Sequence, residues 1–131
     1  MRAKAKFKIE GWDEKTFTEL EGGGKLTNAS VKQALSGDVE GEAEVEWLMC
    51  YRPDQTADFV GLQRIIGRIG ERAGSFVAAQ TDGTFDGKEA RGMLSVVPGS
   101  ASGDLEGLRG SGEFRPPRGG EASISLDYEI G

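Results

Sequence analysis

Trp47, Met49 and Tyr51 recur at every second position, and Gln63 and Gln80 each alternate with apolar residues further along the chain. A period of two belongs to an extended strand, whose alternate side chains share a face. Aromatic rings and an adaptable thioether on one such face can wall an apolar molecule. A few inward amides among them would orient that molecule, or would instead bond one another or buried water. Phe76 shares the parity of Gln80, and Tyr128 that of Leu126 and Ile130. The candidate ligand-lining set is therefore Trp47, Met49, Tyr51, Gln63, Phe76, Gln80 and Tyr128, with plain core packing as the alternative.

Much other chemistry is excluded. The chain has no histidine and one cysteine, Cys50. Imidazole metal sites and His-dependent triads are impossible, and a zinc site would lack both of its usual ligand types. No internal disulfide can form. Cys50 shares parity with Leu48 and with Glu40, Glu42, Glu44 and Glu46, so it faces outward without an evident base and reads as inert. Acid–base work would fall to Asp, Glu, Lys, Tyr or Cys50, but no catalytic residue stands out, and neither metal nor cofactor is expected. The glycine-rich stretch from Gly99 to Gly112 lacks the Gly-Lys-Ser/Thr ending of a phosphate loop.

At 131 residues the chain has the length of one domain, 1–131. Sixteen basic against 22 acidic residues give a net charge of -6. That balance argues against nucleic acid as a partner, since phosphate binding needs a basic surface. No apolar run approaches the ~20 residues of a membrane-spanning helix. Met1-Arg2-Ala3-Lys4 leads straight into alternating sequence rather than an apolar leader. A cytoplasmic protein, not bound to membrane, is expected.

Strands must position the candidate residues, because period-two alternation runs through the whole chain. Ala3, Ala5, Phe7 and Ile9 alternate with Lys4, Lys6, Lys8 and Glu10; a loop is then expected as far as Gly22-Gly23-Gly24. Further strands are predicted at Ala29–Leu35, Val39–Tyr51, Ala57–Ile69, Ser75–Thr81, Lys88–Val97, Arg109–Phe114 and Ala122–Ile130. Asp82-Gly83 reads as a turn, and Pro116-Pro117 with Gly119-Gly120 as a break. The hexapeptide Ser36-Gly37-Asp38-Val39-Glu40-Gly41 returns as Ser102-Gly103-Asp104-Leu105-Glu106-Gly107, which implies recurring glycine-cornered turns. About eight strands joined by short turns predict an all-β fold, a single antiparallel β-barrel whose closure removes edge strands. A β-sandwich would hold the same number.

Outward faces carry their own signal. The four alternating glutamates of the third strand read as a solvated exterior. Leu48, Cys50, Val60, Leu62 and Ile66 face outward too, beside Arg64 and Arg68. Exposed apolar positions rimmed by charge favour association, most simply a symmetric homodimer.

The run Val96-Val97-Pro98-Gly99-Ser100-Ala101-Ser102-Gly103-Asp104-Leu105-Glu106-Gly107-Leu108-Arg109-Gly110 resembles the signature of a bacterial family of unknown function, DUF3224. Trp12-Asp13-Glu14, Val60-Gly61-Leu62, Gly74-Ser75-Phe76 and Asp127-Tyr128 extend the resemblance along the chain. It implies a barrel like that of allene oxide cyclase, similar in shape to lipocalins. Gln80 stands where the family often has histidine, and the plant cyclases' first-strand glutamate has no counterpart among the apolar Ala3, Ala5, Phe7 and Ile9. Three functions fit: a barrel holding a small apolar molecule, a cyclase or isomerase acting by orientation, or a filled, non-catalytic interaction protein.

Overall fold

The computed structural model describes residues 1–115 and 122–130. Nine strands occur there: β1 (Arg2–Glu19), β2 (Lys25–Gly37), β3 (Val39–Tyr51), β4 (Ala57–Ile69), β5 (Arg72–Phe85), β6 (Ala90–Val96), the two-residue β7 (Ser102–Gly103), β8 (Leu108–Arg115) and β9 (Ala122–Ile130). Hydrogen bonding runs β1–β2–β3–β4–β5–β6–β8–β9 and returns to β1, all antiparallel, closing an eight-stranded barrel. The short β7 hangs on β5. No helix among the described residues is long and apolar enough to cross a membrane.

Alternation decides which side chains enter the barrel. Val39, Ala43, Val45, Trp47 and Met49 are buried, while Glu40, Glu42, Glu44, Glu46, Leu48 and Cys50 are exposed. The same two-residue rhythm buries Phe59, Gln63 and Ile65 on β4 and Phe76, Ala78 and Gln80 on β5.

Both hexapeptide copies lie at one end of the barrel. Gly37 and Gly103 take φ of 116° and 64°, in the left-handed region that glycine enters without a Cβ clash. The following amide then bonds the neighbouring strand, Asp38 N to Lys4 O at 2.9 Å and Asp104 N to Ala73 O at 2.8 Å. Each copy next drives an apolar residue inward, Val39 or Leu105. Leu105 and Leu108 are almost wholly buried and seal this end.

Two boundaries depart from the sequence reading. The segment after Glu10 continues β1 as far as Glu19, paired with β2 back to Lys25. Between Ile9 and Gly11 the register slips by one residue, a β-bulge that places Glu10 opposite no partner. Inward positions are odd before the bulge and even from Trp12 to Thr16, where a second shift follows, so the alternation looks broken although the strand is not. Likewise Asp82-Gly83 lies inside β5, where the pairing with β6 shifts between Thr81 and Thr84. Asp82 has φ of 52°, so these residues make a bulge with the conformation expected of a turn. The predicted break at Pro116-Pro117 and Gly119-Gly120 lies outside the described residues.

Candidate functional site

At the end opposite Leu105 the barrel opens into a cleft of about 230 Å³, walled by Phe7, Ile9, Trp12, Met49, Tyr51 and Phe85, with Trp47, Phe59 and Phe114 as its floor. Lys88, Glu89, Ala90 and Ala122 complete the lining.

Glycines explain why the floor lies flat. Each floor ring has a glycine as its direct cross-strand partner: Trp47 opposite Gly61, Phe59 opposite Gly83, Phe114 opposite Gly92. A Cβ on Gly61 would come within 2.5 Å of the Trp47 ring; on Gly83, within 2.5 Å of Phe59; on Gly92, within 2.7 Å of Phe114. The rings therefore lie across the neighbouring strand instead of standing off the sheet. They meet one another, with centroids 5.2 Å apart for Trp47 and Phe59, 5.9 Å for Phe59 and Phe114, and 6.5 Å for Trp47 and Phe114. Trp12 leans on Trp47 from the wall at 5.6 Å, and Tyr51 meets Phe85 edge-on at 6.5 Å.

Under the floor runs a chain of amides. Lying over Gly61, the Trp47 indole reaches the next strand, where Nε1 donates to Gln80 Oε1 at 2.5 Å. Gln80 Nε2 donates to Gln63 Oε1 at 3.0 Å, and Gln63 Nε2 to Gln33 Oε1 at 2.6 Å. The amides thus satisfy one another, one of the two alternatives open from sequence. Gln33 was not among the candidates, although it alternates with Val31 and Leu35 and could have been found that way.

The candidate residues therefore separate into three places. Trp47, Met49 and Tyr51 come together in the cleft. Gln63, Gln80 and Phe76 are buried in the barrel interior and do not line it. Tyr128, opposite Gly110 on β8, borders a shallow pocket with Met1 and Arg109 near the sealed end.

The bulge supplies a residue that alternation concealed. Past it, Trp12 and Glu14 pair with the buried Val31 and Ala29 and share their inward face. The first strand thus does carry an inward glutamate, contrary to the all-apolar expectation. Glu14 is half-buried, accepting from Trp12 Nε1 at 3.0 Å and from Thr27 Oγ1 at 2.7 Å. Burial, followed by the nearby Glu14 carboxylate, pushes the Tyr51 phenol up to about 12, while its hydroxyl lies 3.8 Å from Met49 Sδ. Tyr51 is a donor that keeps its proton, not a base.

The rim loop is fixed by Asp86, whose Oδ1 accepts from the backbone N–H of Glu89 at 2.8 Å and of Lys88 at 2.9 Å. These bonds, Glu89's before Lys88's, hold its carboxyl below the usual carboxylate range. They present Lys88 and Glu89 at the mouth of an otherwise apolar cleft. The fully buried polar side chains among the described residues are Thr27, Gln33, Gln63 and Gln80, none of them ionisable.

The profile of a family described as "Protein of unknown function (DUF3224)" matches residues 3–128. The chain belongs to the DUF3224 family. A crystal structure of a DUF3224 protein of unknown function from Shewanella oneidensis MR-1 superimposes with a TM-score of 0.86 at 22% identity, covering 100% of this chain and 97% of that one. At that identity the likeness establishes a shared fold. The comparison with curated proteins gave no match.

Proposed function

We propose that this DUF3224 protein binds a small, largely apolar molecule in the cleft at the open end of its barrel. One observation carries the reading: a cleft walled by aromatic rings stays open at the barrel mouth above the buried floor, with Trp12 46% exposed over Trp47. An apolar, aromatic-lined cleft with a few polar groups at its rim is the usual form of a small-molecule site. At about 230 Å³ the cleft is smaller than the roughly 300–1,000 Å³ of drug-sized sites, so a bicyclic aromatic or short acyl chain suits it. Stacking would hold the body of the molecule, and a polar end would meet Lys88 or Glu89. The orienting role first considered for Gln63 and Gln80 moves to this rim, because those amides are already engaged. A cytoplasmic location accords with the single exposed thiol, Cys50.

The test is native mass spectrometry of protein purified gently from its own host, with titration of a naphthalene derivative followed by tryptophan fluorescence. A stoichiometric extra mass, or saturable quenching whose affinity falls about tenfold in Trp12→Ala, is expected. A clean mass together with quenching that never saturates rejects the binding site.

A cyclase or isomerase is the second reading, favoured by Glu14 beside Tyr51 at the mouth. A phenol that retains its proton suits donation to a developing negative charge on a folded substrate.

A further inference from the structure

The outer wall formed by β3 and β4 has apolar positions and unmatched charges in one strip. Leu48 is 53% exposed, Val60 50%, Leu62 57% and Ile66 50%. They come together by register: Leu48 is opposite Val60, Glu46 opposite Leu62, Glu44 opposite Arg64 and Glu42 opposite Ile66. From the first of these pairs to the last the strip runs roughly 20 Å along the strands. Its width suits another barrel, since two convex walls touch only along a narrow band.

Just beyond the strip Glu40 pairs with Arg68 at 2.7 Å, and within it Glu46 accepts from Ser30 at 2.8 and 2.6 Å. The remaining charges of the strip are not engaged. Glu44 has Lys32 opposite on one side and Arg64 on the other, yet neither reaches it. Among the described residues Arg64, Glu42 and Glu44 make no ion pair or side-chain hydrogen bond. Opposite charges flanked by apolar residues and left uncommitted form a pattern that can match itself.

We propose that this strip is the contact between two copies of this chain, related by a two-fold axis running along the strands between β3 and β4. Such an axis lays each β3 over the partner's β4 at the same height. Leu48 then meets Val60 of the partner subunit, and Arg64 meets Glu44 of the partner subunit, twice by symmetry. An axis across the strands, over Arg64, would instead set the two guanidinium groups against each other. The charges therefore choose the geometry, while the Leu48–Val60 contacts supply apolar adhesion and Leu62 and Ile66 lie against the aliphatic stems of Glu46 of the partner subunit and Glu42 of the partner subunit.

Sedimentation velocity of the full chain tests this. The wild type is expected to sediment as a dimer, and Leu62→Glu as a folded monomer by circular dichroism. Arg64→Glu alone sets Glu against Glu across the contact, and Glu44→Arg alone sets Arg against Arg, so each should be monomeric. Mixed in equal amounts, these two variants carry complementary faces and should re-form a dimer containing one of each. A wild type that stays monomeric at the highest soluble concentration overturns the proposal and leaves the strip to another kind of partner. So does a dimer indifferent to Leu62→Glu, or a mixture of the two charge variants that fails to pair.

Discussion

The two ends of this barrel are closed by different means. At one end the second hexapeptide turns Leu105 inward beside Leu108, and aliphatic side chains fill the space. At the other, aromatic rings are laid flat over glycines, and the bulged arm of β1 rises past them without closing over the top. An aliphatic plug can collapse into whatever gap is present, whereas a rigid ring held over a glycine keeps its plane and leaves a cleft above it. Shape at the open end is thus maintained by leaving side chains out as much as by putting them in.

If that contrast is right, substitutions at the sealed end should act on stability and those at the open wall on binding. The largest effect is expected at the seal. Leu105→Ala or Leu108→Ala should each lower unfolding stability by about 3 kcal/mol in urea denaturation, within the range for buried leucines. A loss no larger than that of an exposed residue would mean the end is not sealed. Gly61→Ala tests the floor. Its methyl group would run into the Glu46 carbonyl of β3 as well as the Trp47 ring, costing about 2 kcal/mol by overpacking and shifting tryptophan emission. Trp12→Ala sharpens the comparison, because the ring is half-exposed. Stability should fall by less than about 1 kcal/mol, while affinity for a naphthalene probe falls about tenfold.

The smallest effect is a titration. Tyr51 has its folded pKa raised, so its contribution is intact below pH ~10 and is lost as the pH climbs towards about 12. The tyrosinate absorbance that disappears in Tyr51→Phe should therefore titrate near the upper value. In Glu14→Gln it should move down, since one source of the shift is gone.

Most of this architecture was legible because alternation is a local property. Leu48, Cys50 and the glutamates of β3 face out, and Trp47 and Met49 face in, as counting by twos requires. What stayed hidden depends on pairing between strands. A bulge is defined by the partner strand, so nothing in the sequence near Glu10 announced that the inward parity would change, and Trp12 and Glu14 were read as loop. Asp82-Gly83 misled for a related reason: the same backbone conformation serves a hairpin turn and a bulge, and only the partner strands distinguish them. The glycine-backed floor also needed the register, because Trp47 and Gly61 are opposite only once β3 and β4 are aligned.

The row of side chains from Trp47 through Gln80 and Gln63 to Gln33 draws one member each from β3, β5, β4 and β2. Aliphatic interiors are forgiving, and many packings of Val, Ile and Leu have nearly the same energy. Amides are not. If any of these four strands slides by one residue, its member of the row turns to the outside and strands a bonded neighbour in hydrocarbon. The row thus works as a tally of correct assembly: a chain that closes out of step is penalised at several places at once, before any ligand has arrived to reward the right one.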